Sequence, residues 1–477
     1  MKRRAFQFLA IASIACVALL LHSARRPRYG GALRAEVGAA VVSIDPAFPA
    51  DTTDQTTLRE KLLALVCDRL VTLDEHGQPK PALATSWQAA PGNKLWSFRL
   101  RSNVIAQDRA PLTADDIVPI LEAANPHWRF GAAANPDGST TLNIEVPGAN
   151  PSLPTELAMP RNFVFRRGRS GAVVGTGPFQ VTAWQAGRQA EFKAFDAAWQ
   201  GRPFVDSIEL KMGLPARDRL INLETGKVDF VDVPPEDARR AADRGARILA
   251  SLPDELLALE FARGPRAAED PAHRHALAVS VERVALVNFV LQKQGELAWA
   301  PLPQWCTGTA ILLTGHPPDP AQIKQLAAQF QNAPALLLGY DGANALEKAV
   351  AERIAVNARE AGIRVTAQAA SGAGEAFDVR LVRRKMISPI PRIALIELLR
   401  AWAPLEDADV VPLPDPAAPE DIYARESAAI ENDRVIPLVY LPETFGLSAR
   451  VRDWKSPLPA SGDGWPLAQV WLEGDGR

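Results

Sequence analysis

The 477-residue chain has little cysteine and almost no net charge, and it lacks the short motifs of several enzyme classes. Its three cysteines are too few for the framework of a disulfide-rich domain. A formal net charge of −2 gives no broad field for nucleic acid or an anionic membrane surface. Neither a GxSxG nucleophile elbow nor a Walker-type GK[ST] loop occurs. These absences leave a globular chain in which any charge effect must be local.

Patterns that could carry catalysis or metal binding are sparse. His273 and His275 are two residues apart and fall on different sides of a helix, whereas helical metal ligands usually stand at i and i+4. Asp115 and Asp116 fit the first turn of a helix. The GTGPF segment at 175–179 precedes a strand, which indicates a tight chain reversal and not a phosphate cradle. We therefore predict no catalytic residue, no metal site and no cofactor.

Residues 1–28 have the pattern of an export signal. A basic triplet at 2–4 precedes the uncharged run AFQFLAIASIACVALLL. This run of about 17 residues is also close to the shortest membrane span, so a cleaved signal peptide and a retained anchor both stay open. Cys16 follows an alanine as a lipoprotein cysteine would, but apolar residues continue after it, which disfavours lipidation. We expect a periplasmic or envelope-associated protein.

Only Cys67 and Cys306 remain beyond this segment. They stand far apart in the sequence, and Cys67 lies within an apolar helical pattern. An oxidising compartment would permit a disulfide between them, but two separate thiols are the simpler interpretation.

Hydrophobic periodicity predicts an α/β protein with mixed sheets. Alternating segments such as LWSFRLR, TTLNIEV and GPFQVTAW indicate a strand-rich part around residues 80–230. A second part, around residues 255–430, contains ALLLGYDG, ANALEKAVAERIAVNAREAG and IRVTAQA, which predict strand, helix and strand of a parallel crossover. The strand FDVRLVR follows and is expected to end at Arg383, because that residue would otherwise fall on the apolar face.

A series of short motifs gives a more specific indication because all of them occur in one order. The motifs are YGGALR at 29–34, SIDPA at 43–47, DRLVTLDEHGQPKPALATSW at 68–87, LWSFRLRSNV at 95–104, PLTADDIV at 111–118, GTGPFQVTAW at 175–184, AAWQGRPFVDSIELK at 197–211 and GKVDFVDVPPED at 226–237. Together they resemble the bacterial extracellular solute-binding proteins of family 5, the receptors of peptide, oligopeptide and nickel ABC importers. The resemblance is looser after residue 335.

The resemblance implies a two-lobed periplasmic-binding-protein-like fold of type II with a hinge and an extra subdomain. A ligand would lie between the lobes, where closure removes it from water. The implied divisions are lobe 1 at 29–55, 170–255 and 430–477, the extra subdomain at 56–169, and lobe 2 at 256–429.

The stretch RRKMISPIP departs from the peptide-binding relatives, which usually carry an acidic residue there for the peptide's α-amine. Arg384 and Lys385 would instead suit an anionic group if they faced the cleft, because arginine and lysine pair with carboxylate or phosphate. The rival interpretation is a solvated strand end whose charges prevent edge pairing. Three further ligand candidates are Phe48 and Asp51, in the early loop that lines the family's cleft, and Trp402, as an aromatic wall.

The resemblance implies a non-enzymatic receptor that captures a peptide-like or other small organic solute and delivers it to an ABC permease. The receptor is expected to be a monomer with no nucleic-acid partner. One alternative keeps the fold without transport, as a membrane-tethered or degenerate module with a sensory or envelope role. An exported hydrolase is a third hypothesis, but the sequence offers no clustered nucleophile and base for it.

Overall fold

The computed structural model describes residues 27–168, 171–262, 269–313, 315, 320–330, 332–370, 375–402 and 413–474. The predicted export signal lies outside these residues except for its last two positions. Within the described part of the chain, no helix combines the length and apolar character needed to cross a membrane.

The strands, in chain order, are β1 Ala32–Glu36, β2 Val71–Leu73, β3 Pro79–Pro81, β4 Ala84–Ala89, β5 Leu95–Leu100, β6 Arg129–Ala134, β7 Thr140–Glu145, β8 Arg166–Arg167, β9 Val173–Val174, β10 Phe179–Gln185, β11 Gln189–Ala194, β12 Ser207–Lys211, β13 Phe230–Val233, β14 Arg247–Ala250, β15 Glu255–Phe261, β16 Glu296–Leu297, β17 Leu336–Asp341, β18 Val365–Ala370, β19 Val379–Lys385, β20 Val435–Leu441, β21 Thr444–Leu447, β22 Val451–Arg452 and β23 Trp471–Leu472.

The α-helices are α1 Thr53–Val66, α2 Ala114–Ala124, α3 Leu153–Glu156, α4 Ala216–Glu224, α5 Pro235–Asp243, α6 Pro271–Ser280, α7 Arg283–Ala285, α8 Gln304–Thr307, α9 Pro320–Ala327, α10 Ala345–Ala361, α11 Pro391–Ala401 and α12 Pro419–Ile430. Short 3₁₀ turns occupy Pro160–Asn162, Ala310–Leu313 and Ala328–Phe330, and a π-helical turn occupies Leu286–Val290.

Lobe 1 is built on a seven-stranded mixed sheet in the order β10-β11-β12-β1-β13-β21-β14. Strand β1 pairs in parallel with both β12 and β13, while β21 returns antiparallel between β13 and β14. Helix α1 packs its leucines into the same core as this sheet. The extra subdomain, predicted to begin at residue 56, therefore begins after α1.

Lobe 2 is built on a six-stranded sheet in the order β16-β20-β15-β19-β17-β18. Strands β17 and β18 are parallel and are joined by α10, so the predicted crossover is confirmed. Strand β20 pairs antiparallel with β15. The lobe 1 segment predicted at 430–477 thus returns only after Leu441, because the apolar run VIPLVYL is a buried inner strand of lobe 2.

The extra subdomain contains a four-stranded antiparallel sheet in the order β4-β5-β7-β6. Its own core gathers residues between Leu70 and Val164, including Phe98 and Leu142. Helix α2 begins as predicted: the Thr113 amide donates to Asp116 at 2.9 Å, which closes the first turn. The chain crosses between lobe 1 and lobe 2 twice, from β14 to β15 and from β20 to β21.

The GTGPF segment lies against the end of α1. A Cβ at Gly175 would stand 2.1 Å from the Val66 carbonyl oxygen, and one at Gly177 would stand 2.6 Å from the Val66 carbonyl carbon. The Gly177 amide donates to that same oxygen at 2.9 Å. An added Cβ would clash at both positions, so these glycines serve packing against α1.

We expect Gly175→Ala to lower the free energy of unfolding by about 1–3 kcal/mol, because an added methyl forces two rigid backbones apart. Urea unfolding followed by tryptophan fluorescence measures the change. Gly148→Ala is the matched control, since a Cβ there meets no atom within 4 Å. Equal stability of the two variants would contradict the packing role.

Candidate functional site

A cavity of about 460 Å³ lies between the two lobes, in the size range of small-ligand sites. Lobe 1 contributes the residues after β1, the first two turns of α1, and the junction of β13 with α5. Lobe 2 contributes the start of β15, the loop between β17 and α10, and the end of β19. The charged side chains that line this cleft are Asp54, Lys61, Arg219, Asp232, Glu236, Glu255, Asp341, Arg383, Lys385 and Glu443.

A second cavity of about 640 Å³ adjoins the first along β19. Asp51, Asp54, Asp341 and Arg383 line it, together with Arg384 and Glu347. Because Asp54, Asp341 and Arg383 line both cavities, the two form one continuous cleft.

The two crossings between the lobes run side by side at the floor of the cleft. The Ser251 amide donates to the Glu443 carbonyl at 2.9 Å, and the Glu443 amide donates to Ser251 Oγ at 3.0 Å. The Asp254 amide donates to the Leu441 carbonyl at 3.1 Å. These bonds join residues 251–254 to residues 441–443, which together form the hinge.

The Lys385 ammonium forms ion pairs with carboxylates of both hinge segments. Its Nζ lies 2.6 Å from Asp254 Oδ1 and 2.7 Å from Glu443 Oε1, so one ammonium contacts both crossings. Lys61, from α1, also reaches Glu443 Oε1 at 2.7 Å. Burial opposes the charge of Lys385, but the two carboxylates outweigh it and hold its pKa above the usual range. Burial raises the pKa of Asp254 to about 6 despite the ammonium.

Arg383 joins lobe 2 to the first turn of α1. Its guanidinium lies 2.8 Å from Asp54 and 2.8 Å from Glu255. Its carbonyl accepts a hydrogen bond from Thr53 Oγ1 at 3.2 Å. The predicted end of the strand at Arg383 is therefore wrong: β19 continues to Lys385 because β15 pairs with it and carboxylates neutralise its charges.

The predicted anionic-ligand role of Arg384 and Lys385 is not supported by their surroundings. The Arg384 guanidinium forms a bidentate pair with Glu260, with two N–O distances of 2.9 Å. Lys385 is engaged at the hinge. Both side chains line the cleft, but their charges are already neutralised by Asp254, Glu260 and Glu443.

The other three predicted ligand residues have different surroundings. Asp51 is exposed at the rim of the second cavity. Phe48 is half exposed and lines neither part of the cleft. Trp402 was expected to form an aromatic wall but is only 2 % exposed and packs in the core between β15, α11 and α12. Its position after the last turn of α11 directs it into that core.

Several carboxylates of the cleft are not among the residues predicted from the sequence. Asp54 lies in the first turn of α1, Asp341 ends β17, and Glu347 follows in the first turn of α10. Asp232 and Glu236 belong to the motif GKVDFVDVPPED, with Asp232 within β13 and Glu236 in the first turn of α5. Their partners could not be read from the sequence.

The extra subdomain also contacts lobe 2. Ser152 Oγ donates to Asp415 at 2.8 Å, and Arg392 of lobe 2 lies 4.0 Å from Glu156 of the subdomain. Arg161 lies 3.6 Å from Glu397 on α11. The subdomain thus touches lobe 2 outside the hinge.

No group of three or more His, Cys, Asp or Glu side chains in the described ranges is arranged to hold a metal ion. Cys67 and Cys306 are both free thiols, Cys67 buried and Cys306 partly so. His273 is buried and stacks on Phe330 with ring centroids 4.5 Å apart.

The protein has two mixed α/β lobes, an extra subdomain and a cleft above the two chain crossings. This is the architecture of a two-lobed periplasmic binding protein. The family model described as "Bacterial extracellular solute-binding proteins, family 5 Middle" matches residues 78–386. The chain belongs to this family, whose members are binding proteins and not enzymes.

Similar proteins agree with this assignment. Protein XP55 of Streptomyces lividans is 26% identical over 50% of this chain and 47% of its own length. The peptide transport periplasmic protein SapA of Salmonella typhimurium is 25% identical over 57% of this chain and 58% of its own. The chain thus spans about half the length of these curated relatives. The structure of DppA from Helicobacter pylori with peptide STSA shares the fold, with a TM-score of 0.77 and 16% identity over 94% of this chain and 99% of that one.

Proposed function

We propose that this protein captures a small organic or peptide-like solute in the cleft and delivers it to an ABC permease. The observation that carries the proposal is the cavity of about 460 Å³ between two lobes that a paired crossing of the chain connects. Such a hinge permits closure by rotation of two folded bodies. A solute that binds the closed state more tightly than the open state stabilises the closed state.

The family and the relatives support a receptor without catalytic activity. SapA is named a peptide transport protein, and DppA was solved with a peptide. We propose the same broad class of ligand here, and an exported protein that acts as a monomer. Membrane anchoring through the N-terminal segment is a separate hypothesis, which fractionation of cells expressing the full chain tests.

Mass spectrometry of the purified full-length protein tests capture. We expect a small solute to be released when the protein is denatured. Ala343→Trp places a large ring in the cleft and is expected to abolish retention of that solute. Ala349→Trp, on the exposed side of α10, is the matched control and should retain it.

Capture would be contradicted if neither the parent protein nor the control released a solute. It would also be contradicted if Ala343→Trp retained as much solute as Ala349→Trp, since binding would then lie outside the cleft. Pull-down of a permease from detergent-solubilised membranes separates the transport role from the alternative of a sensory or envelope module.

A further inference from the structure

We infer that the solute of this cleft is an organic cation, an amine or guanidinium compound whose positive groups outnumber its carboxylates. This inference rests on the proposed capture of a solute. The solute would be held by carboxylates of both lobes, chiefly Glu236 of lobe 1 and Glu255, Asp341 and Glu347 of lobe 2.

The cations that line the first cavity are all occupied by protein carboxylates. Lys61 and Lys385 share Glu443 at 2.7 Å each. Arg219 pairs with Asp232. Arg383 is divided between two carboxylates. No cation lining this cavity is free to receive an anionic ligand.

Carboxylates, by contrast, are in excess around Arg383. Its guanidinium contacts Asp54 and Glu255 directly, and Glu236 and Glu347 lie within electrostatic range of it. Among the described residues, neither Glu236 nor Glu347 forms an ion pair. Burial raises the pKa of Glu236, and it raises the pKa of Glu347 to about 7, because the single guanidinium does not offset their desolvation. An added cation would relieve this imbalance.

Hydrogen bonding gives a second, independent indication. Glu255 is 7 % exposed and lines the cavity, yet its Oε1 has no hydrogen-bond partner within the described part of the protein. Glu236 Oε2 also has no hydrogen-bond partner among the described residues. A buried carboxylate oxygen without a donor is costly, and the N–H groups of an ammonium or guanidinium are donors of the right charge.

The placement of these carboxylates links ligand charge to closure. Glu236 begins α5 in lobe 1, whereas Glu255 and Asp341 lie on β15 and β17 in lobe 2. A cation between them attracts both lobes. An anion would face carboxylates on both walls and would repel them. A zwitterionic peptide with a free carboxylate would find no available cation in the first cavity. Arg380, which lines the second cavity, donates to the Glu375 carbonyl and forms no ion pair within the described residues.

Three probes of matched length test the inference on the full-length protein after dialysis: 1,4-diaminobutane, succinate and 1,4-butanediol. Thermal unfolding and calorimetry are the readouts, and calcium chloride is the metal control. We expect the diamine alone to raise the melting temperature. Glu236→Gln should weaken diamine binding about tenfold, in keeping with the loss of a charged hydrogen bond. Glu122→Gln, an exposed change of the same charge in the extra subdomain, should leave it unchanged.

Binding of succinate in preference to the diamine would overturn the inference. So would stabilisation by calcium without the diamine, or diamine binding that Glu236→Gln leaves intact. If no probe binds, the charge of the co-purified solute decides: a cation supports the inference, and a neutral or anionic solute overturns it. A protein that releases no solute and responds to no probe contradicts the proposed capture itself.

Discussion

Lys385→Met is expected to lower the free energy of unfolding at pH 7 by about 3–5 kcal/mol, the effect of removing one partner of a buried ion pair. The Lys385 ammonium is the cation that contacts Asp254 Oδ1, at 2.6 Å. Glu443 would keep Lys61, whereas Asp254 would remain buried without a cation. Urea unfolding at constant salt measures the loss.

Two further variants test the origin of this effect. Lys348→Met, an exposed change on α10, should alter stability by less than about 0.5 kcal/mol. Asp254→Asn in the Lys385→Met background should recover part of the loss, because it removes the stranded charge. If the double variant were less stable than Lys385→Met alone, the buried charge would not be the cause.

Glu426→Gln is expected to raise the free energy of unfolding at pH 8 by up to about 3 kcal/mol and to leave it nearly unchanged at pH 4. Glu426 is fully buried on α12, and burial raises its pKa from 4.5 to about 7. Its Oε1 accepts one hydrogen bond, from the Leu302 amide at 2.9 Å. The nearby Cys306 and Tyr440 groups direct their protons to backbone carbonyls instead.

The sign follows from proton linkage. Between about pH 4.5 and 7 the folded state keeps the Glu426 proton that the unfolded state has released, so its contribution to stability falls as pH rises through this window. Glutamine cannot ionise and avoids that loss. Urea unfolding at several pH values measures the pH dependence of the free energy of unfolding. Glu420→Gln, an exposed change on the same helix, is the control. Parallel pH profiles for the parent and Glu426→Gln would refute the assignment.

Local patterns were enough to predict several elements. The β17–α10–β18 crossover follows from periodicity and from a helix that ends at Gly362, whose φ of 97° favours glycine. The glycines at 175 and 177 were visible from composition, whereas the Val66 carbonyl against which they pack lies more than a hundred residues away in the chain.

The features that could not be predicted depend on contacts between residues far apart in the chain. The charges of Arg383, Arg384 and Lys385 looked unpaired because their partners on β15 and in the hinge lie between 58 and 131 residues away in the chain. The apolar pattern of residues 273–292 is typical of one long helix, but α6 ends before Val281, and the Arg283 guanidinium donates to the Pro437 carbonyl of β20. A sequence pattern specifies a face and not the strand that will cover it.

Helix α1 contacts lobe 1 at one end and lobe 2 at the other. Its 14 residues span about 21 Å. Its last carbonyl is pressed against Gly175 and Gly177 of lobe 1, while its first turn is bonded to Arg383 of lobe 2 at both side chain and main chain. An opening rotation that separates α1 from lobe 2 must therefore break the contacts of Asp54 and Thr53 with Arg383.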